Sequence, residues 1–183
     1  MEIKKEYLAA DDTNLMPKVW AIYQESFPPT ERRSLENIRT CLRGEHCRMV
    51  VYHRDDMVIG FIIYWQYPHF TYGEFFATNL SIRNSGNGSY IIRDFMSQHN
   101  DRPFILEIDG MCDEISKRRC GFYQREGFVL NPFVHRPTAY NDKNVHLTMH
   151  IMTYGHEISE QLYQEFNHVL INDIMSNIYK KPF

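Results

Sequence analysis

Residues 74–92 read EFFATNLSIRNSGNGSYII: the end of a strand, a polar turn with two glycines, and the start of a helix. Phe70 to Ile82 is rich in aromatic and β-branched residues and predicts one long strand. Ile91, Ile92, Phe95 and Met96 recur at helical spacing. Between them, Gly86 and Gly88 let the backbone turn sharply and approach a ligand closely. The first amides of the following helix have no partner within it, and they face outward at the positive end of its dipole. That arrangement suits an anion, a diphosphate in particular, and Arg83 adds a charge-assisted contact. A glycine-rich turn with no ligand fits the loop alone equally well. A P-loop needs Gly-Lys-Ser/Thr, and no lysine lies here. A dinucleotide fingerprint needs a third glycine where Ile91 stands. Glu107 and Asp109, about 20 residues on, favour that reading; the mid-chain position behind a hairpin opposes it.

Outward from this unit the pattern alternates. Upstream, Cys47 to His53 and Met57 to Tyr67 predict two strands joined by a tight turn at Arg54-Asp55-Asp56. Before them, Lys4 to Leu8 reads as a short strand. Asp11-Asp12-Thr13 then offers caps for a helix carrying Leu15, Met16, Val19, Trp20, Ile22 and Tyr23. Phe27-Pro28-Pro29 breaks it, and Thr30 is expected to cap a second helix with Glu31 in its first turn and Gly44 as its stop. Downstream, Phe104 to Ile108 is a short buried strand. Asp113 caps a helix running to about Glu126, which Gly127 stops. Phe128 to Asn131 predicts a strand, Pro132 to Asn144 a loop, and Val145 to Ile151 a strand with period-two alternation. Ser159 caps a last helix whose apolar face, Leu162, Phe166, Val169 and Leu170, suits either the sheet or a partner subunit in a homodimer. The order predicts a mixed α/β (α+β) layer.

Composition bounds the function. The 183 residues are 43% hydrophobic, with 20 Lys and Arg against 23 Asp and Glu, a net charge of −3. That is one globular domain without the basic stripe that nucleic acid requires. No apolar run reaches the ~18 residues of a membrane span. MEIKKEYLAADD carries no export signal, so a cytoplasmic chain with reduced Cys41, Cys47, Cys112 and Cys120 is expected. No cysteine pair has metal-site spacing, and His146 and His150 would suit a metal only on a helix, so no metal is expected.

A second stretch, KRRCGFYQREGFVLN, ends a helix on Phe122-Tyr123 and enters a strand at Phe128. With the first, it is similar to the GCN5-related N-acetyltransferase (GNAT) superfamily, in the form found in bacterial members. Arg83-Asn84-Ser85-Gly86-Asn87-Gly88 matches that family's Arg/Gln-x-x-Gly-x-Gly/Ala. Glu74-Phe75-Phe76-Ala77-Thr78 resembles its Glu-aromatic-Leu-Ala-Val, with Ala77 six positions before Arg83. Tyr123-Gln-Arg-Glu-Gly127-Phe128 matches its Tyr-x-x-x-Gly-Phe. The specific likeness spans about Cys47 to Asn131. Residues 1–46, with FPPTERR, resemble the acceptor side, and residues 132–183, with Pro137-Thr-Ala-Tyr140, resemble the tail of a bacterial subgroup. Ser116 and Arg119 depart from the family's usual Asn and Ala.

The resemblance implies a central, mostly antiparallel mixed sheet flanked by helices, with two neighbouring parallel strands splaying apart as a slot for acetyl-CoA. It implies that the amides of Arg83 through Ser89 (Asn84, Ser85, Gly86, Asn87 and Gly88 between them) hold the pyrophosphate. Ala77 and Thr78 would pair with the pantetheine, and Ser116 would donate a hydrogen bond in place of the usual asparagine. The implied reaction is direct attack of a primary amine, from a small molecule or peptide, on the thioester. A lysine-like amine is neutral in only about one molecule in 10³ at pH 7, so a base helps. Glu74 is expected in that role, acting directly or through a water, with Glu107 and Glu31 in reserve. Tyr123 is expected to protonate the leaving thiolate. Glu31, Arg32, Tyr67, His69 and Tyr140 would rim the acceptor side, where carboxylates and aromatics suit a cationic amine. The other readings are a non-catalytic acyl-CoA-binding module and, behind it, a dinucleotide-dependent oxidoreductase fragment.

Overall fold

A computed structural model describes residues 2–83, 85–110, 113–140 and 145–176. Seven strands form one sheet: β1 (Lys4–Tyr7), β2 (Cys47–Arg54), β3 (Met57–Gln66), β4 (Thr71–Thr78), β5 (Phe104–Asp109), β6 (Phe128–His135) and β7 (Met149–Tyr154). Their order is β1-β2-β3-β4-β5-β7-β6, and each neighbouring pair is antiparallel except β4 with β5. Helices α1 (Met16–Ser26), α2 (Leu35–Arg43) and α5 (Glu160–Val169) pack on one face of the sheet; α3 (Asn87–Gln98) and α4 (Glu114–Arg125) pack on the other. β3 is central and apolar throughout because both its faces are covered. Phe61, Ile63 and Trp65 point into one core, Ile62 and Tyr64 into the other. Tyr163, Phe166 and Leu170 of the last helix are buried against the sheet, so one of the two uses its sequence allowed is realised within the chain.

Several boundaries differ from the sequence reading, each for a local reason. Thr30 does not cap the second helix. Pro29–Glu31 is a separate 3-10 turn, and Ser34 caps α2 by accepting from the Asn37 amide. The expected strand to Ile82 ends at Thr78, and Leu80–Ile82 forms a 3-10 turn capped by Asn79. β6 runs on through Pro132 to His135; it lies at the sheet edge, where a missing N–H costs no ladder bond. β7 starts later, at Met149, while His146 makes only an isolated bridge to Thr138. Asp113 caps α4 as expected, and Gly127 stops it in the left-handed region at φ 94°. Among the described residues no helix is long and apolar enough to cross a membrane.

One irregularity shapes the site. β4 pairs with β5 only where Thr71–Gly73 lie beside Phe104–Leu106. Beyond Gly73, β4 stays on β3 while β5 continues on β7 as far as Asp109. The register between β3 and β4 steps from Tyr64↔Gly73 to Ile63↔Phe75, leaving Glu74 as an extra residue. Such a bulge bends and twists its strand. Here it coincides with the point at which two parallel strands part.

Candidate active site

The gap between β4 and β5 leads to the N-terminus of α3. Gly86 takes φ 78° just before the helix, a conformation glycine adopts without steric cost, and a Cβ there would meet open space. Tyr90 donates the first helical bond, to the Gly86 carbonyl. Among the described residues none accepts from the amides of Asn87, Gly88 and Ser89, so a row of donors is left for an anion. The loop is braced from behind. The Ser85 hydroxyl donates to the Ile82 carbonyl, and the Asn87 side-chain Nδ2 donates to Ser85 Oγ at 2.7 Å. α3 and α4 are tied by Arg93 Nε donating to Glu126 Oε2 at 2.7 Å. Burial would raise the Glu126 carboxyl, but bonds from Ser89 and Arg93 outweigh it and hold it below its ordinary range.

At the β5 end of the gap lies a cavity of about 80 Å³ whose walls include Glu31, Glu74, Glu107, Asp109, Arg119 and Tyr140. Four of those six are acidic. Asp109 pairs with Arg119. Glu107 accepts from the Tyr72 hydroxyl on one oxygen and contacts His135 Nε2 with the other. The Glu31 carboxylate takes no hydrogen bond from any described residue, and partial burial, with Asp109 nearby, raises its pKa.

Glu74 is fully buried. Arg33 Nε and Nη2 reach its Oε1 at 2.8 and 2.7 Å, the Tyr140 hydroxyl donates to the same oxygen at 2.9 Å, and Trp65 Nε1 donates to Oε2 at 2.7 Å. Arg33 also donates to Asn37 and to the Ile174 carbonyl. Burial alone would pull the guanidinium pKa down; Glu74 beside it raises it instead.

No protein-family model matches the chain, and no curated protein matches it. Solved structures do. A protein from Bacteroides thetaiotaomicron, described as an acetyltransferase from the GNAT family, is 32% identical with a TM-score of 0.86, over 94% of this chain and 98% of its own. The chain belongs to the GNAT family. The ribosomal-protein-S18-alanine N-acetyltransferase of Escherichia coli shares the fold at 17% identity and TM-score 0.64, over 88% of this chain and 99% of its own. So does a GNAT acetyltransferase from Elizabethkingia anophelis with acetyl-CoA bound, at 12% identity and TM-score 0.58, over 83% and 97%.

As GNAT residues, the sequence candidates fall into distinct places. Ala77 and Thr78 lie on the part of β4 that has left β5; their strand partners, Phe61 and Gly60, are on the β3 side. Arg83 is exposed before the loop, and Asn84 lies outside the described residues. Ser116 lies in the first turn of α4. Its hydroxyl donates to Asp113 Oδ1 at 2.8 Å and accepts from the Asp113 amide, completing a capping box, and that accounts for its burial. Tyr123 is buried in the second core beside Phe122 and Phe128, and burial pushes its hydroxyl pKa up to about 12. Tyr140 and Glu31 do line the acidic cavity. Tyr67 and His69 do not. They precede β4 at its closed end, where Tyr67 donates to Asp173 and His69 contacts Glu165, so neither rims the gap.

Sequence reasoning missed Arg33 and His135. Nothing local marks Arg33: it follows Glu31-Arg32 as one more charged residue, and only the folded chain buries it on Glu74. The Arg119 departure did carry a signal. It stands where its guanidinium can reach Asp109 at the end of β5, next to Tyr123.

Proposed function

We propose that this GNAT chain transfers the acetyl group of acetyl-CoA to the primary amine of a small molecule or peptide, as one domain over residues 1–183. The observation that carries it is the parting of β4 from β5 in front of the unbonded amides of α3. Main-chain groups of Ala77 and Thr78 would hold the pantetheine, and the Gly86–Ser89 turn with Arg83 the diphosphate. Free, buried Cys41, Cys47 and Cys120 support a reducing, cytoplasmic setting.

The acidic cavity draws in an ammonium group. Glu31 is our choice of base: its carboxylate takes no hydrogen bond from a described residue, and its raised pKa brings it closer to neutral pH, where proton transfer works best. Glu74 fits that role less well, because three donors already occupy its oxygens. We assign it to holding the wall of the cavity and fixing Tyr140. The neutral amine then attacks the thioester carbonyl, the C–S bond breaks, and the departing sulfur receives a proton. Tyr123, buried and fully protonated at neutral pH, is placed by motif to donate it.

The test is a panel of primary amines incubated with acetyl-CoA, reading free thiol. Thiol release that depends on the amine is expected. A silent panel, from protein that still binds coenzyme A, would turn the assignment into one of binding without turnover.

A further inference from the structure

A second cavity, of about 430 Å³, lies beyond the acidic one, and the two share Pro137, Thr138 and Met175 as walls. Its other walls include His135, Arg136, Leu170 and Ile171. No carboxylate lines it among the described residues, and no described carboxylate pairs with Arg136. Among the described residues, the charged lining therefore changes across the shared walls from mostly carboxylates to Arg136.

His135 stands at the boundary. Its side chain is only 8% exposed, stacked on Tyr163 and Phe166, with Nε2 turned to Glu107 of the acidic cavity. A carboxylate only accepts, so the contact places a ring proton on Nε2. Nδ1 is buried, and no described residue bonds to it.

We propose that the second cavity holds the far part of the acceptor, and that the acceptor is dipolar. Its ammonium sits among the acidic residues, and an anionic end faces Arg136. Leu170, Ile171 and Met175 supply apolar contact for a side chain between them. A short peptide with a free carboxylate has this pattern. A diamine does not, because its second cation would meet Arg136. The inference rests on the acetyl-transfer reading and narrows its substrate class.

The experiment compares three acceptors: alanyl-leucine, its C-terminal amide, and 1,5-diaminopentane. The free dipeptide is expected to show the lowest KM, with amidation raising it about fivefold, the worth of one partly exposed ion pair. Arg136→Gln should abolish the difference between acid and amide. Equal KM for acid, amide and diamine, or an acid-to-amide ratio untouched by Arg136→Gln, would overturn the proposal. Calorimetric titration of alanyl-leucine into the protein with coenzyme A separates the two readings. Binding that depends on Arg136 without turnover sinks the transfer reading and keeps the dipolar site; turnover of other amines with no such binding does the reverse.

Discussion

The two ends of the gap are built from different materials. The proposed coenzyme side is main chain: a strand edge that has lost its neighbour, a left-handed glycine and three helix amides, all within residues 74–89. The acceptor side is side chains gathered from afar, with Arg33, Trp65, Glu74 and Tyr140 meeting across more than a hundred residues of chain. A main-chain site tolerates change in most of its side chains. A buried ionic network does not, since removing one partner strands the other.

That contrast can be broken most forcefully at Glu74. Glu74→Ala leaves the Arg33 guanidinium buried without its carboxylate, and a loss of about 3–5 kcal/mol in unfolding free energy is expected. Denaturant unfolding measures it, and a loss under ~1 kcal/mol would mean that the acceptor wall is not held by this pair. Next in size is Tyr123→Phe, which removes one hydroxyl and no packing. A fall of about 100-fold in kcat is expected, with coenzyme A affinity and melting temperature unchanged. Weakened coenzyme binding in that variant would place Tyr123 on the other side of the comparison.

Gly86→Ala probes the main-chain end. The left-handed turn then costs roughly 1–2 kcal/mol, and coenzyme A should bind more weakly, although a Cβ meets no atom there. Unchanged stability and affinity would show that the turn is not held in this conformation. Smallest is the pH response of Glu31. Its folded pKa is raised, so the folded chain holds a proton that the unfolded chain has already lost, and stability falls as pH rises from the unfolded value of about 4.3 through the folded one. Glu31→Gln should therefore exceed the native chain in stability at pH 7, with the gain vanishing below about pH 4. A gain independent of pH would remove Glu31 as the titrating wall of the cavity.

Much of the structure on the proposed coenzyme side was legible because its signals are local. Glycine spacing, the Asp113 cap and the run of apolar residues in β3 act over a few residues, and the helix and strand periods expose them. The misplaced ends were also local in origin: Pro29–Glu31 made its own turn, and edge strand β6 absorbed Pro132. Sequence alone did not show the Ser116 capping box, because a cap and a ligand contact ask for the same hydroxyl.

The amino-acid order alone determined the element sequence, the family resemblance and the glycine turn before α3, since each depends on contacts between near neighbours in the chain. Only the folded structure decided that Glu74 is held by Arg33, Trp65 and Tyr140, that Glu31 takes no hydrogen bond from a described residue, and that His135 lines a second cavity. Those facts depend on which distant segments share a small buried volume, where one opposite charge or one absent donor settles what a carboxylate or an imidazole can do.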